Sequence, residues 1–177
     1  CSLLVGPVHY SVSIGLELLD DKGTTVEGLM KHADMALYEA KAAGRNTVRR
    51  FQPAMQRKIT DRSALEARLR ESMKDDEFTV HYQPLVDSHG ALIGAEALLR
   101  WNPQHALAVP PSEFIPVAEE SGLIHALGQW RLAAVCDQLV RWKGMLPPDF
   151  RAAVNLSAAE FLHPELIDRI VDALNRF

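Results

Sequence analysis

Two runs of the sequence, GAEALLRWNP and AAVNLS, place polar side chains inside otherwise apolar segments. In GAEALLRWNP, Glu96 and Arg100 interrupt a run that has the composition of a strand. Because side chains alternate along a strand, both would lie on one face, about 13 Å apart at roughly 3.3 Å per residue. They are too distant to pair, but a carboxylate suits a hard cation and a guanidinium suits a phosphate. The pattern alone favours a simpler interpretation, an edge strand whose polar face is wet.

Other polar side chains raise the same question. Asn155 ends the apolar run AAVNLS, where its amide is either a neutral oxygen ligand or, as the local pattern favours, a turn residue. On the first predicted helix, Lys41 and Arg45 continue a polar stripe with Asp34 and Tyr38. Basic residues at a helix C-terminus interact with the helix dipole without any ligand, so the stripe alone indicates no site.

The elements that carry these residues begin with a strand, a helix and a second strand. Residues 8–18 alternate strictly between apolar and polar, which predicts a half-buried strand. Thr24 and Glu27 have the spacing of a capping box at the start of the helix, and Gly44 marks its end. A short strand is expected at NTVRRF.

From Pro53 the sequence becomes polar, with helical charge spacing, and predicts a connecting helix. Two strand-like runs then flank Ser88-His89-Gly90 and predict a hairpin. Ser112 is expected to cap a short helix, and Cys136 to fill the core side of a long one. FRAAVNLS predicts a buried strand, and HPELIDRIVDALNRF a last helix. The alternation of strands and helices predicts a parallel α/β arrangement.

Composition limits the classes of function. The 177 residues are 47% hydrophobic and 24% charged with a net charge of -4, and no Lys/Arg block suits nucleic acid. No apolar run approaches the roughly 18 residues of a membrane span. Two cysteines without a disulfide pattern suit a reducing, cytoplasmic compartment. The spacing of the histidines gives no support for a zinc site. The sequence has no serine-hydrolase elbow and no phosphate-binding P-loop, so serine hydrolysis and ATP binding have no support either.

The motifs, taken in order, resemble two known families. SVSIG and ADMALYEAKAAGRN resemble the C-terminal end of a GGDEF domain, the diguanylate cyclase family. HYQPLVD, GAEALLRW, PPSEFIPVAEESGLI, LGQW and VNLS resemble the opening of an EAL domain, the cyclic-di-GMP phosphodiesterase family. The fold class expected is α/β: a GGDEF piece at residues 1–52, a linker helix at 53–76, and part of a TIM-like barrel at 77–177.

The resemblance also implies particular residues. Glu96 and Asn155 would bind a catalytic Mg²⁺ or Mn²⁺, Arg100 would contact a phosphate of cyclic-di-GMP, and Gln83 would lie in the same pocket. Lys41 and Arg45 match positions that approach the triphosphate of GTP, although the GG[DE]EF loop itself would precede Cys1. After Arg-Trp the sequence reads Asn-Pro-Gln-His-Ala rather than the common H-P-x-x-G, which we interpret as loop variation.

The implied function is metal-dependent hydrolysis of cyclic-di-GMP to pGpG by the parent protein. An EAL barrel has roughly 250 residues, so the natural chain is expected to continue past Phe177 with the remaining catalytic residues, and the 177-residue chain alone is expected to be inactive. The alternatives are a receptor that binds cyclic-di-GMP without cleaving it and a scaffold that dimerises through the EAL part and the linker. An upstream sensor domain is also expected, and a membrane anchor could lie only outside this chain.

Overall fold

The computed structural model describes residues 10–19, 25–104 and 106–176. It divides into two compact units, Cys1–Ser63 and Ala64–Phe177, with the boundary inside a long helix. The first unit contains β1 (Ile14–Leu16), α1 (Val26–Ala42), β2 (Val48–Arg50) and the start of α2 (Pro53–Ser72). The second contains the end of α2, then β3 (Phe78–Val86), β4 (Leu92–Trp101), α3 (Pro111–Glu120), α4 (Leu123–Arg141), β5 (Arg151–Val154), α5 (Ala158–Phe161) and α6 (Leu166–Arg176). None of the described helices is long and apolar enough to cross a bilayer.

The first unit has the predicted order of strand, helix and strand. β1 and β2 pair in parallel, and α1 packs on them through Ala36 and Ala40, which are fully buried. Gly15 makes this packing close, because a Cβ there would overlap the backbone of Ala33 and Leu37. Gly44 follows the end of α1 with a positive φ of 99°, as its proposed helix-stop position requires.

Two expectations for the first unit are wrong. The apolar face of β1 is exposed, with Ile14 at 42% and Leu16 at 44%, because the strand packs on α1 through its Gly15 face instead. The N-cap of α1 is Thr25 rather than Thr24, and its hydroxyl accepts a hydrogen bond from the amide of Gly28 at 3.1 Å. Residues 8 and 9 of the predicted strand and the turn at 20–23 lie outside the described residues.

The second unit is built on a three-stranded sheet in the order β3-β4-β5. β3 and β4 form the predicted antiparallel hairpin, whose turn is held by Asp87: its carboxylate accepts the amide hydrogens of His89 and Ala91. β4 and β5 pair in parallel, so the sheet is mixed rather than wholly parallel. A strand in the middle of a sheet has both edges paired, which fixes the register of β4 on both sides.

The core of the second unit lies on one face of this sheet. Helix α3 packs against β4, and α4 packs against β3 and β5. Alternate residues of β4 are buried, and Cys136 is buried as expected. The two largest fully buried side chains are Trp101 and Phe114, and their rings meet edge to face with centroids 5.6 Å apart. The core residues are Leu69, Phe78, Leu99, Trp101, Val109, Phe114, Val117, Ala118, Ile124 and Leu127.

Two further expectations need correction. α3 begins at Pro111 with Pro110 at the N-cap position, so Ser112 lies inside the helix and does not cap it. The fixed φ of proline suits the first helical turn, which explains the earlier start. β5 was expected to be buried, but Arg151 and Ala153 are exposed, because the described residues place a helical layer on only one face of the sheet.

Glu77 joins the end of α2 to the loop after β4. Its carboxylate accepts hydrogen bonds from the Ser72 hydroxyl, from the Gln104 amide at 2.9 Å and from the Trp101 indole at 3.4 Å. These bonds, that of Ser72 above all, hold the pKa of Glu77 below its ordinary value of 4.5. A carboxyl whose folded pKa is lowered stabilises the fold above its unfolded pKa, and that contribution is lost as pH falls through the folded pKa.

We therefore expect Glu77→Gln to lower the thermal midpoint at neutral pH and to flatten its acid dependence. Thermal unfolding followed by circular dichroism between about pH 7 and pH 3 measures both effects. The wild-type and variant midpoints should converge at the acid end. Glu71→Gln, which alters an exposed pair with Lys74, is the matched control. Parallel curves for wild type and Glu77→Gln would contradict this interpretation.

Candidate functional site

One face of the β3-β4 hairpin carries three of the residues that the sequence indicated. Glu96 and Arg100 alternate with the buried residues of β4 and therefore lie on the face opposite the core. Antiparallel pairing sets Gln83 of β3 directly across from Glu96. Side chains at paired positions lie on the same face, so Gln83, Glu96 and Arg100 share it.

Asn155 approaches the same face from the next strand. β5 runs parallel to β4 with Ala153 paired to Glu96, and Asn155 is the first residue after the strand ends at Val154. Its side-chain Nδ2 donates a hydrogen bond to Oε1 of Glu96 at 2.7 Å, across 59 residues of sequence. The fold thus brings together an amide and a carboxylate that the sequence keeps far apart.

A cavity of about 260 Å³ adjoins this pair. The polar groups of its lining come from Arg100, Glu119, Arg131, Asn155, Ser157 and Glu160. The Arg100 guanidinium donates from Nη1 to the carbonyl oxygen of Leu99 at 2.9 Å, which leaves further N–H groups of the guanidinium for an acceptor. The lining thus carries both basic and acidic groups, and the free N–H groups of Arg100 are those that suit an anionic oxygen.

The oxygen atoms available at this site are the kind of ligand that a hard divalent cation prefers. Glu96 offers carboxylate oxygens, and Asn155 presents its amide nitrogen to them. A half-turn of that amide would present Oδ1 beside the carboxylate. Mg²⁺ takes about six oxygen ligands, often including waters and phosphates, so these side chains would supply two of them. Within the described residues, no three His, Cys, Asp or Glu side chains gather as a metal site.

The remaining predicted residues lie in the first unit. Lys41 occupies the last turn of α1 and is exposed. Arg45 follows Gly44, has a φ of 63°, and donates its backbone N–H to the carbonyl of Ala40 at 3.1 Å. Both residues are exposed, and both lie at the C-terminal end of α1.

Comparison with protein families agrees with the motifs. Residues 66–177 match the model of the EAL domain, and residues 5–47 match the model described as diguanylate cyclase, GGDEF domain. The chain belongs to the EAL domain family. The GGDEF match precedes the EAL match, in the order that the motifs predicted.

Curated relatives and a solved structure extend the likeness. The chain is 41% identical over 171 residues to the bifunctional diguanylate cyclase/cyclic di-GMP phosphodiesterase MucR of Pseudomonas aeruginosa, covering 96% of this chain and 25% of that protein. It is 37% identical over 155 residues to the cyclic di-GMP phosphodiesterase PdeR of Escherichia coli, covering 86% of this chain and 23% of that protein. The chain therefore spans about a quarter of these relatives.

The solved structure titled PaMucR phosphodiesterase, c-di-GMP complex, superimposes with a TM-score of 0.61 at 38% identity. The match covers 64% of this chain and 46% of that one. The expected fold class, a GGDEF piece followed by part of a TIM-like barrel, is confirmed.

The second unit, Ala64–Phe177, contains the EAL match and is called the EAL unit below. It also contains a buried ion pair that sequence reasoning missed. Arg131 of α4 and Glu160 of α5 meet at 2.9 Å, and each is 5% exposed. One half of this pair had a sequence signal, because Ser157 and Glu160 have the spacing of a capping box. Nothing in the spacing of Arg131 indicated its partner, which lies 29 residues away.

The pairing of Asn155 with Glu96 generates a prediction about cation binding. In Asn155→Asp a second carboxylate replaces the amide that donates to Glu96 at this exposed position, so the protein should lose about 0.5 to 1.5 kcal/mol of stability. Mn²⁺ should then raise the thermal midpoint more in Asn155→Asp than in wild type, because the cation relieves the repulsion and gains a charged ligand. Differential scanning fluorimetry with and without Mn²⁺ measures this difference.

The matched control is Asn102→Asp. Asn102 also makes one side-chain hydrogen bond, to the Thr79 hydroxyl at 3.2 Å, but lies at no candidate ligand position. An equal Mn²⁺ response in Asn155→Asp and Asn102→Asp would rule out a cation site at Asn155.

Proposed function

We propose that the protein hydrolyses one phosphodiester bond of cyclic-di-GMP and releases linear pGpG. The observation that carries this proposal is the 2.7 Å contact between Asn155 and Glu96, on a sheet face that also bears Gln83 and Arg100. An oxygen-rich pair on the same sheet face as a guanidinium suits a ligand that combines a divalent cation with phosphate groups. The similarity to MucR and PdeR, both named as cyclic di-GMP phosphodiesterases, supports the same reaction.

Each residue has a separate task in this proposal. The guanidinium of Arg100 holds a phosphate oxygen of the dinucleotide, where its planar fork allows two parallel hydrogen bonds. The amide of Gln83, across the hairpin from Glu96, donates to or accepts from the substrate beside the reacting phosphate. Glu96 and Asn155 are the residues that would hold the cation.

The cofactor is Mg²⁺ or Mn²⁺, because both are bound through carboxylate, carbonyl and water oxygens. When bound, it supplies charge stabilisation at the phosphate and makes water a stronger nucleophile at neutral pH. Water adds to the phosphorus, one P–O ester bond breaks to open the ring, and a proton from the water ends on the released ribose oxygen. The roughly 13 Å between Glu96 and Arg100 along β4 lets the strand hold cation and phosphate with different side chains.

Other features of the parent protein are part of the same proposal. Lys41 and Arg45, exposed at the end of α1, are the remainder of a GTP triphosphate site. We keep the division into a GGDEF piece at 1–52, a linker at 53–76 and an EAL part at 77–177, with the α2 linker continuous from Pro53 to Ser72. A cytoplasmic location, an upstream sensor domain and a homodimer through the EAL part and the linker complete it.

The deciding experiment compares wild type with Glu96→Ala in the intact protein. Each is incubated with cyclic-di-GMP and Mn²⁺, and pGpG is measured by chromatography. We expect Glu96→Ala to lose at least about 100-fold in turnover, since changing even a supporting partner of a metal ligand costs about 10- to 100-fold.

The control is Glu66→Gln, which changes an exposed carboxylate paired with Arg70 and should keep full turnover. Wild type that binds cyclic-di-GMP in a titration without forming pGpG would replace hydrolysis with a receptor function. Unchanged turnover in Glu96→Ala would remove Glu96 from the site.

A polypeptide of residues 1–177 alone is expected to give no turnover. Its described residues bring together one carboxylate and one amide, fewer ligands than a stable divalent site needs. The same chromatographic assay tests this at high enzyme concentration. Turnover by residues 1–177 at the rate of the intact protein would show that these two side chains suffice.

A further inference from the structure

The ion pair of Arg131 and Glu160 is unusual for its burial. Both side chains are almost completely shielded, and Nη2 of Arg131 donates to Oε1 of Glu160 at 2.9 Å. Burying two charges costs desolvation energy, and the attraction between them often does no more than offset that cost. Apolar residues of similar size would therefore stabilise the fold equally well. The Nε of Arg131 is buried without a hydrogen-bond partner within the described structure, which adds to that cost. The pair therefore calls for an explanation other than stability.

Glu160 also holds the segment that leaves β5. Its Oε2 accepts the backbone N–H of Ser157 at 3.0 Å, and its own N–H donates to the Ser157 hydroxyl at 3.2 Å. These two bonds form a reciprocal capping box at the start of α5. One carboxylate thus bridges Arg131 on α4 and the backbone of Ser157.

Gly128 makes this bridge sterically allowed. A Cβ at position 128 would overlap the carboxylate of Glu160, so the absence of a side chain lets the carboxylate lie against α4. Glycine in a helix interior costs roughly 0.5 to 1 kcal/mol relative to alanine. The close approach of Glu160 gives a reason for that cost.

Ser157 lies two residues beyond Asn155. The segment Asn155–Ser157 is therefore fixed at both ends: β5 pairs Val154 with Ala97 of β4, and Glu160 holds Ser157. Between these anchors Asn155 is exposed and directs Nδ2 to Glu96 at 2.7 Å. A connection this short has few conformations once both ends are set.

We propose that the buried Arg131–Glu160 pair, admitted by Gly128, is a positioning device that fixes the Asn155–Ser157 segment and so sets Asn155 against Glu96. Arg131 acts through Glu160, and Glu160 acts through Ser157. Both side chains also contribute to the lining of the cavity beside Asn155, but neither occupies a proposed cation-binding or phosphate-binding position. The proposal rests on the function proposed above only in taking Asn155 as a ligand of the divalent cation.

The test uses three variants of the intact protein. Arg131→Met leaves the Glu160 carboxylate buried and unpaired, whereas Arg131→Met/Glu160→Gln removes both charges and keeps an acceptor oxygen for Ser157. Arg141→Met is the matched control, because Arg141 lies on the same helix in an exposed pair with Asp137. Hydrogen exchange by mass spectrometry reports on the segment 154–160, with 78–86 of β3 as the internal reference.

In Arg131→Met we expect exchange in 154–160 to accelerate at least about 10-fold while 78–86 is unchanged. The double variant should recover most of the protection, and Arg141→Met should match wild type. Unchanged exchange in 154–160 would overturn the positioning role. A uniform rise over the whole chain would overturn it too, since it would mark a general loss of stability.

A second readout is the affinity for Mn²⁺ alone, measured by calorimetry below the unfolding range of every variant. We expect Arg131→Met to weaken binding about 10- to 100-fold, as changes behind a metal ligand do, and the double variant to restore it in part. Binding lost in Glu96→Ala but unchanged in Arg131→Met would overturn the positioning role. Binding unchanged in both would instead reject the proposed cation site, and hydrogen exchange would then decide the positioning role.

Discussion

The position of β4 between two partners is the constraint on which the EAL unit depends. One face of the strand supplies Leu99 and Trp101 to the core, so its alternation cannot slip by one residue without exposing that whole set. The opposite face is then obliged to present Glu96 and Arg100. Because β3 and β5 take their register from the same strand, the position of Gln83 and the approach of Asn155 follow from the packing of the core.

Local sequence patterns predicted the parts of this arrangement that depend on local physics. The alternation in β4, the hairpin at Ser88-His89-Gly90 and the end of α1 at Gly44 all follow from backbone geometry and side-chain period. The same rule was wrong for β1, where Ile14 and Leu16 are exposed. A period of two identifies two faces, but the neighbouring helix decides which face is covered, and the missing Cβ of Gly15 favoured the other one.

The contacts that build the candidate site were beyond such patterns. Asn155 meets Glu96 across 59 residues, and Arg131 meets Glu160 across 29. Neither separation leaves a period to detect, because both contacts require the sheet order and the helix packing to exist first. The resemblance to the EAL family named Glu96 and Asn155 as a pair. It did not indicate Arg131 or Glu160, for which the capping spacing and the helical Gly128 were the only local signals.

Burial separates the Arg131–Glu160 pair from the other ion pairs of the EAL unit. Arg70–Glu66 and Arg141–Asp137 are i, i+4 pairs with open side chains, and such pairs contribute little to stability. They can break and reform without moving the backbone. A buried pair cannot, because separating its members leaves a charge away from water. It therefore holds its two helices in one relation, and a site made from the ends of separate strands needs that fixed relation more than it needs additional stability.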